Sequence, residues 1–297
     1  MKTLRYIIMG IMLIMIIPFC NSQTTEKNER TTLKSITKNT SEELLAESKD
    51  ILQKRLEFMG LRKFQIIQNN AAAELVITVK DTINRETLLD ILLLRGHVNF
   101  YETMNRQQAL NRFGKNSMGC VQDAFFSLHV SDSLHLPNGS ILGYAGANDT
   151  NAISECFASK NVKALFPKKL ELLWTVYAGD SKQFFLYCIS ESDKTFNEQN
   201  ISEAHPDYSD PEHPVLSITF KEKVWNSLKY ATIRNMNKPI ALVIDSKVYF
   251  APRIMGEIPH GKISLSGGGF SKTEVRKLAA ILSNGALPLK FIITANK

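Results

Sequence analysis

The 297-residue sequence predicts an α+β fold: two ferredoxin-like split-βαβ repeats with a mixed α/β domain inserted between them. Three observations carry this reading. Residues 41–103 run helix, hairpin, helix, strand. Residues 214–297 run strand, helix, hairpin, strand, helix, strand. Between them, over 104–213, periodicity weakens and Asn, Ser and Asp accumulate.

The chain opens with Lys2 and Arg5 before an apolar run at 7–19, too short to span a bilayer comfortably and of the length of a signal-peptide core. Residues 1–22 are thus expected to be a signal peptide or short N-terminal anchor. Two readings stand side by side: cleavage after Ser22, and lipid attachment at Cys20, for which Phe19 is a poor neighbour. Either sends the rest of the chain out of the bacterial cytoplasm. Residues 23–40, rich in Thr, Lys, Asn and Glu, read as a polar linker. Thr40 and Glu43 then form a capping-box pair, opening a helix whose apolar residues Leu44, Leu45, Ile51, Leu52, Leu56 and Met59 recur at helical spacing until Gly60. FQIIQ (64–68) and ELVITV (74–79) read as a hairpin, 84–95 as a helix stopped by Gly96, and HVNFYE (97–102) as a strand with Val98 and Phe100 inward.

The C-terminal part reads as VLSITF (215–220), a helix over 221–237, a hairpin of IALVID and VYFAP around a Ser-Lys turn, the strand KISLS, a helix from Ser271, and LKFIIT. The insertion contains apolar runs at AFFSLHV (124–130), LELLWTVYA (170–178) and QFFLYCI (183–189). The Pro- and Asp-rich tract 206–214 marks its boundary.

Chemistry leaves few traces. The triple glycine at 267–269 before Ser271, Lys272 and Thr273 suggests a phosphate loop, but Ser271 precedes the lysine and Ser266 stands five residues earlier, so both required glycines are missing. A Ser271–Glu274 capping box, the stripe Val275, Leu278, Ala279 and Leu282, and a stop at Gly285 with Pro288 beyond explain the segment locally. The histidines His97, His129, His135, His205, His213 and His260 lack metal-ligand spacing. No nucleophile motif is present. The sequence therefore predicts no catalytic residue, no metal and no cofactor, and a protein that is not an enzyme. A net charge of +7, with acidic and basic residues interspersed, argues against nucleic acid. One pair among Cys120, Cys156 and Cys188 is compatible with a disulfide, leaving an odd thiol; buried free thiols fit equally well.

Longer patterns carry a resemblance. Residues 240–291 contain an A-x-V-x-D strand ending at Asp245, then Ala251 and Pro252 in AP-x-I, I-x-x-G ending at Gly261, and L-A-x-x-L-x-x-G-A-L-P closing on Gly285, Ala286, Leu287 and Pro288. Residues 52–79 and 92–102 add R-x-x-x-x-G, a hairpin and a leucine–glycine–phenylalanine strand. Together these resemble the first large periplasmic domain of the bacterial translocase subunit SecD, also present in fused SecDF. The triple glycine replaces a more usual Gly-x-Phe. The resemblance implies a base of two repeats (41–103 and 214–297) carrying a mobile head (104–213). It implies contact with unfolded or translocating polypeptide or with Sec translocon components, and membrane association through the N-terminus. With the sequence closing just after the base, the expectation is a stand-alone exported module. The alternative is an envelope structural or interaction lipoprotein that kept the fold without export activity.

Overall fold

The computed structural model describes residues 29–113, 139–160, 170–176, 183–190, 196–267 and 270–296. The expected signal peptide or short anchor at 1–22, with Cys20, and Cys120, His129, His135 and AFFSLHV lie outside them.

The first sheet joins the two ends of the described chain. β1 (Glu29–Ser35), β2 (Phe64–Asn69), β3 (Glu74–Val79) and β13 (Phe291–Asn296) pair in the order β13-β1-β3-β2, all antiparallel. The expected linker thus contains a strand. Thr31 and Leu33 alternate inward between β3 and β13, and threonine suits a half-buried strand. A single leucine in seven residues gave the tract too little apolar signal. Helices α1 (Glu42–Phe58) and α2 (Arg85–Leu93) supply the core beneath. The cap of α1 is Ser41, whose Oγ accepts from Leu44 N, while Thr40 donates to Thr37 O instead.

The large sheet runs β11-β10-β4-β7-β5, with β6 also on β7. Its strands are β4 (Val98–Met104), β5 (Ile141–Gly146), β6 (Leu170–Trp174), β7 (Gln183–Ser190), β10 (Ile240–Ile244) and β11 (Lys247–Phe250). β5 and β4 lie end to end along one edge of β7, and β6 covers the other. QFFLYCI is therefore a central strand, with Leu186, Cys188 and Ile189 buried and both edges paired over 186–189. The sheet curls round on itself. Val176 donates to Val248 O at 3.1 Å, bringing the end of β6 to β11, and Leu173, Ile189, Ala241, Val243 and Val248 form a core. Two short helices, α3 (Arg106–Phe113) and α4 (Ala147–Ala158), accompany it.

The third sheet, β12-β9-β8, comprises β8 (Ile201–Asp207), β9 (Val215–Phe220) and β12 (Lys262–Leu265). α5 (Trp225–Arg234) follows β9. α6 (Lys272–Asn284) is buried at Val275 and throughout Lys277–Leu282, exposes Lys272, Thr273, Arg276 and Ser283, and its Ala279 and Ala280 let neighbours approach closely. α6 packs on α1, α2 and β8.

The strands of the C-terminal part are thus shared out: β9 and β12 to the third sheet, β10 and β11 to the large one, β13 to the first. β4, from the first expected repeat, pairs with β7 of the expected insertion, and β8, at the far end of that insertion, pairs with β9. Base and insertion are continuous in hydrogen bonding at both ends of 104–213.

Candidate functional site

Five of the motif residues converge on one junction, whose central arginine keeps a single buried nitrogen, Nε, without a partner. Arg55 on α1 is fully buried. Its Nη1 donates to Ile91 O (3.3 Å) and Leu94 O (2.6 Å), and its Nη2 to Arg95 O (2.8 Å) and Gly285 O (2.7 Å). One guanidinium therefore closes the carbonyl ends of α2 and α6, where the helix dipoles favour a cation. Burial pulls its pKa down to about 10 and the Asp245 charge opposes the shift, so it stays cationic at neutral pH. Asp245 and Ser246 adopt positive φ in the β10–β11 turn. The Asp245 carboxylate accepts from Gly96 N (3.0 Å) and His97 N (3.1 Å), while its own N–H donates to His97 O. Leu287 N donates to Arg95 O at 2.7 Å, and the Arg95 side chain donates to Leu287 O and Pro288 O. Asp245, Gly285, Leu287 and Pro288 thus share one joint with Arg55, and Ala286 lies within its chain. Ala251, Pro252 and Gly261 lie elsewhere. Gly261 has φ +67°, and a Cβ there would stand 2.1 Å from Trp225 Nε1, so Trp225 occupies the space of a side chain.

The described histidines, His97, His205, His213 and His260, form no cluster. His97 faces Glu198 at 3.5 Å, His213 bonds Asp210 at 2.8 Å, and His260 stacks edge-on to Trp225. The His213 hydrogen bond, with the Glu212 N–H next, holds Asp210 below the usual carboxylate range. Among the described residues no group of three or more His, Cys, Asp or Glu is placed to hold a metal. Cys156 is disulfide-bonded, with its partner outside the described residues, and Cys188 is a free thiol pushed up to about 12 by burial.

The open site lies beside Pro252. A cavity of about 360 Å³ opens between α5, β12 and the segment 252–258. Its floor is aromatic: Phe100 and Phe196 both meet the Phe220 ring edge-on, at 5.4 and 6.1 Å. Leu228 and Ala231 of α5 and Ile240 of β10 continue it, and Ile254, Met255 and Ile258 form a wall. Met255 is 80% exposed at the mouth. All four residues of β12 line the cavity. Successive strand side chains point to opposite faces, so this contact runs along the strand's edge rather than one face. That edge is the open one among the described residues, where β12 ends its sheet and pairs only with β9. Of the apolar runs picked out between the two repeats, the described residues of LELLWTVYA and QFFLYCI lie away from this surface. "RIMGEI" carried the only signal, an apolar pair in a Gly-containing loop.

A family model described as SecDF, P1 head subdomain, matches residues 175–289. The protein translocase subunit SecD of Rhodothermus marinus is 28% identical over 158 residues, 50% of this chain and 25% of that protein. SecD of Calditerrivibrio nitroreducens is 36% identical over 84 residues, 28% of this chain and 16% of that protein. The crystal structure of SecDF in its super-membrane-facing form has the same fold, with a TM-score of 0.52 at 16% identity over 91% of this chain and 30% of that one. These matches support a domain similar to the periplasmic domain of SecD and SecDF. The chain matches about a quarter of the length of its SecD relative from Rhodothermus marinus. The SecDF family model overlaps the expected 104–213 head only over 175–213 and otherwise covers the second expected base segment. It also contains most of the groove: Phe196, Phe220, α5, the 252–258 wall and β12. Among the described residues no helix is long and apolar enough to cross a membrane.

Proposed function

We propose that this chain is a non-enzymatic SecD-like module that assists protein export by holding a translocating polypeptide, alone or beside a Sec translocon component, in the groove between α5 and β12. The groove carries the reading: it combines an exposed apolar wall, an aromatic floor and an open strand edge, the features an extended chain needs for a grip. The disulfide at Cys156 supports an oxidising, extracytoplasmic location. In this reading the first sheet and its two helices form a ferredoxin-like unit, since β1-α1-β2-β3-α2 is completed by β13 in the order β13-β1-β3-β2. The segment from α3 to β7 is the head mounted on it.

The test is a photo-crosslinking residue at Met255 in living cells. Crosslinks to exported polypeptides caught in transit, or to translocon subunits, are expected. Crosslinks to envelope-complex proteins alone overturn the proposal in favour of a structural role.

A further inference from the structure

We infer that the groove takes its polypeptide by strand addition and selects acidic over basic flanks. This rests on the proposed export reading and specifies the occupant of its site. An extended segment pairs its main chain with β12 and sets alternate apolar side chains on the floor of Phe100, Phe196 and Phe220.

Two kinds of surface meet here, and they demand different things from an occupant. The open edge of β12 presents main-chain N–H and C=O groups, which an extended backbone matches in register. The floor and the Met255 wall present apolar area, which only side chains cover. An acyl chain or small apolar ligand would satisfy the second and leave the first unmatched, while a helix keeps its own backbone groups bonded internally. An extended polypeptide satisfies both. β12 offers four residues, roughly 13 Å of edge, so the paired stretch is short and sequence-tolerant. Met255, exposed and flexible, adapts to differing side chains.

Charge at the mouth sets the direction of preference. The two carboxylates lining the groove already face cations: Glu102 has Arg234 at 3.7 Å, and Glu257 has Lys229 at 3.8 Å. Lys262 opens β12, is exposed, and has no ion pair among the described residues. The rim therefore favours a carboxylate next to the paired stretch and repels a lysine there.

The experiment titrates the full chain with fluorescein-labelled octapeptides and follows anisotropy. The probes are a Val–Thr alternating hexamer flanked by two glutamates, the same hexamer flanked by two lysines, and two versions of the glutamate peptide N-methylated on one or the other alternate set. The glutamate peptide is expected to bind about fivefold tighter than the lysine peptide, the scale of one exposed ion pair. One of the two N-methylated sets should lose about tenfold or more, the other little. Lys262→Glu should reverse the flank preference with an unchanged melting temperature, and Met255→Asp should weaken every peptide. Equal binding by all N-methylated forms, an unmoved preference in Lys262→Glu, or binding of dodecyl maltoside but no peptide overturns the inference. Peptides that fail to bind while Met255 still crosslinks exported chains sink strand addition alone. Peptides that bind while no exported chain crosslinks sink the export reading instead.

Discussion

The Arg55 junction and the groove beside β12 use the same materials, loop carbonyls and strand ends against apolar helix faces, in opposite ways. At the junction, carbonyls from α2, the 94–96 loop and α6 converge on one guanidinium, and Asp245 takes the two N–H groups that follow. At the groove, a strand edge and the Met255 wall are left facing solvent among the described residues, above a floor whose central ring, Phe220, is buried beneath Phe100 and Phe196. A joint built from buried polar groups has one arrangement that satisfies them, so each residue is dictated. A receptive surface needs only apolar bulk and an unpaired edge, which many sequences provide. Damage at the first should therefore appear as lost stability, and damage at the second as lost binding.

The largest effect is expected at Arg55. Arg55→Leu preserves bulk but takes the guanidinium donors from four carbonyls, of which Arg95 O keeps the Leu287 N–H, and should cost about 3–5 kcal/mol in urea denaturation. A loss below about 1 kcal/mol would mean that water replaces the guanidinium and the junction is not its work. Gly96→Ala comes next. Gly96 has φ +86°, and a Cβ there would lie 2.6 Å from Arg55 Nη2 and 2.9 Å from Ile281 Cγ2. Since both neighbours are buried and the guanidinium is held by four bonds, about 2–3 kcal/mol is expected. The double variant Arg55→Leu/Gly96→Ala should lose less than the two losses combined, because the clash disappears with its partner.

This contrast also explains what the sequence made legible. Helix stops at Gly60, Gly96 and Gly285 all take positive φ, and the Ser271 cap accepts from Glu274 N, so local chemistry located these elements well. The Glu274 side chain was expected to complete a capping box; its carboxylate meets Lys277 at 2.8 Å. The long ordered patterns around Asp245 and Gly285 were readable because the junction constrains each position. Arg55 drew notice only as the first letter of a pattern; nothing local marks an arginine on a helix as fully buried. β1 was missed because its partners, β3 and β13, come from distant parts of the chain. The division of the C-terminal strands among three sheets was hidden for the same reason: periodicity identifies a strand and a face, never a neighbour. AP-x-I and I-x-x-G place Pro252, Ile254 and Ile258 on the groove wall, but nothing in those patterns announces the groove, since an open edge is a property of the sheet order.

Smaller effects separate charge from shape at the junction. Asp245→Asn keeps a side chain tolerant of the left-handed turn but gives up a charged acceptor of two N–H groups, and should cost about 1–2 kcal/mol. Lys277 is an internal comparison, buried on α6 yet paired with Asp90 at 2.6 Å and Glu274 at 2.8 Å. Burial alone would lower its pKa, but the two carboxylates outweigh burial and raise it above 10.5. A raised folded-state pKa stabilises fully below the unfolded value and is lost as pH climbs through the folded one. Lys277→Met should therefore cost about 1 kcal/mol at pH 7 and remove part of the stability loss seen above pH 10.5. Equal alkaline losses in the two proteins would show that the pair contributes nothing.

The smallest expected effect on stability tests the other side of the comparison. Met255 is 80% exposed on the groove wall and belongs to none of the buried clusters. Met255→Asp should change folding free energy by less than about 0.5 kcal/mol. If the groove merely closed over itself in solution, burying Met255 against Phe100 and Ile263, the same substitution would place a carboxylate in an apolar site and cost several times more. A near-zero value keeps the groove open in the free protein, leaving its apolar wall to an occupant. A cost above about 2 kcal/mol would turn the groove into a second, softer core and erase the distinction between the two regions.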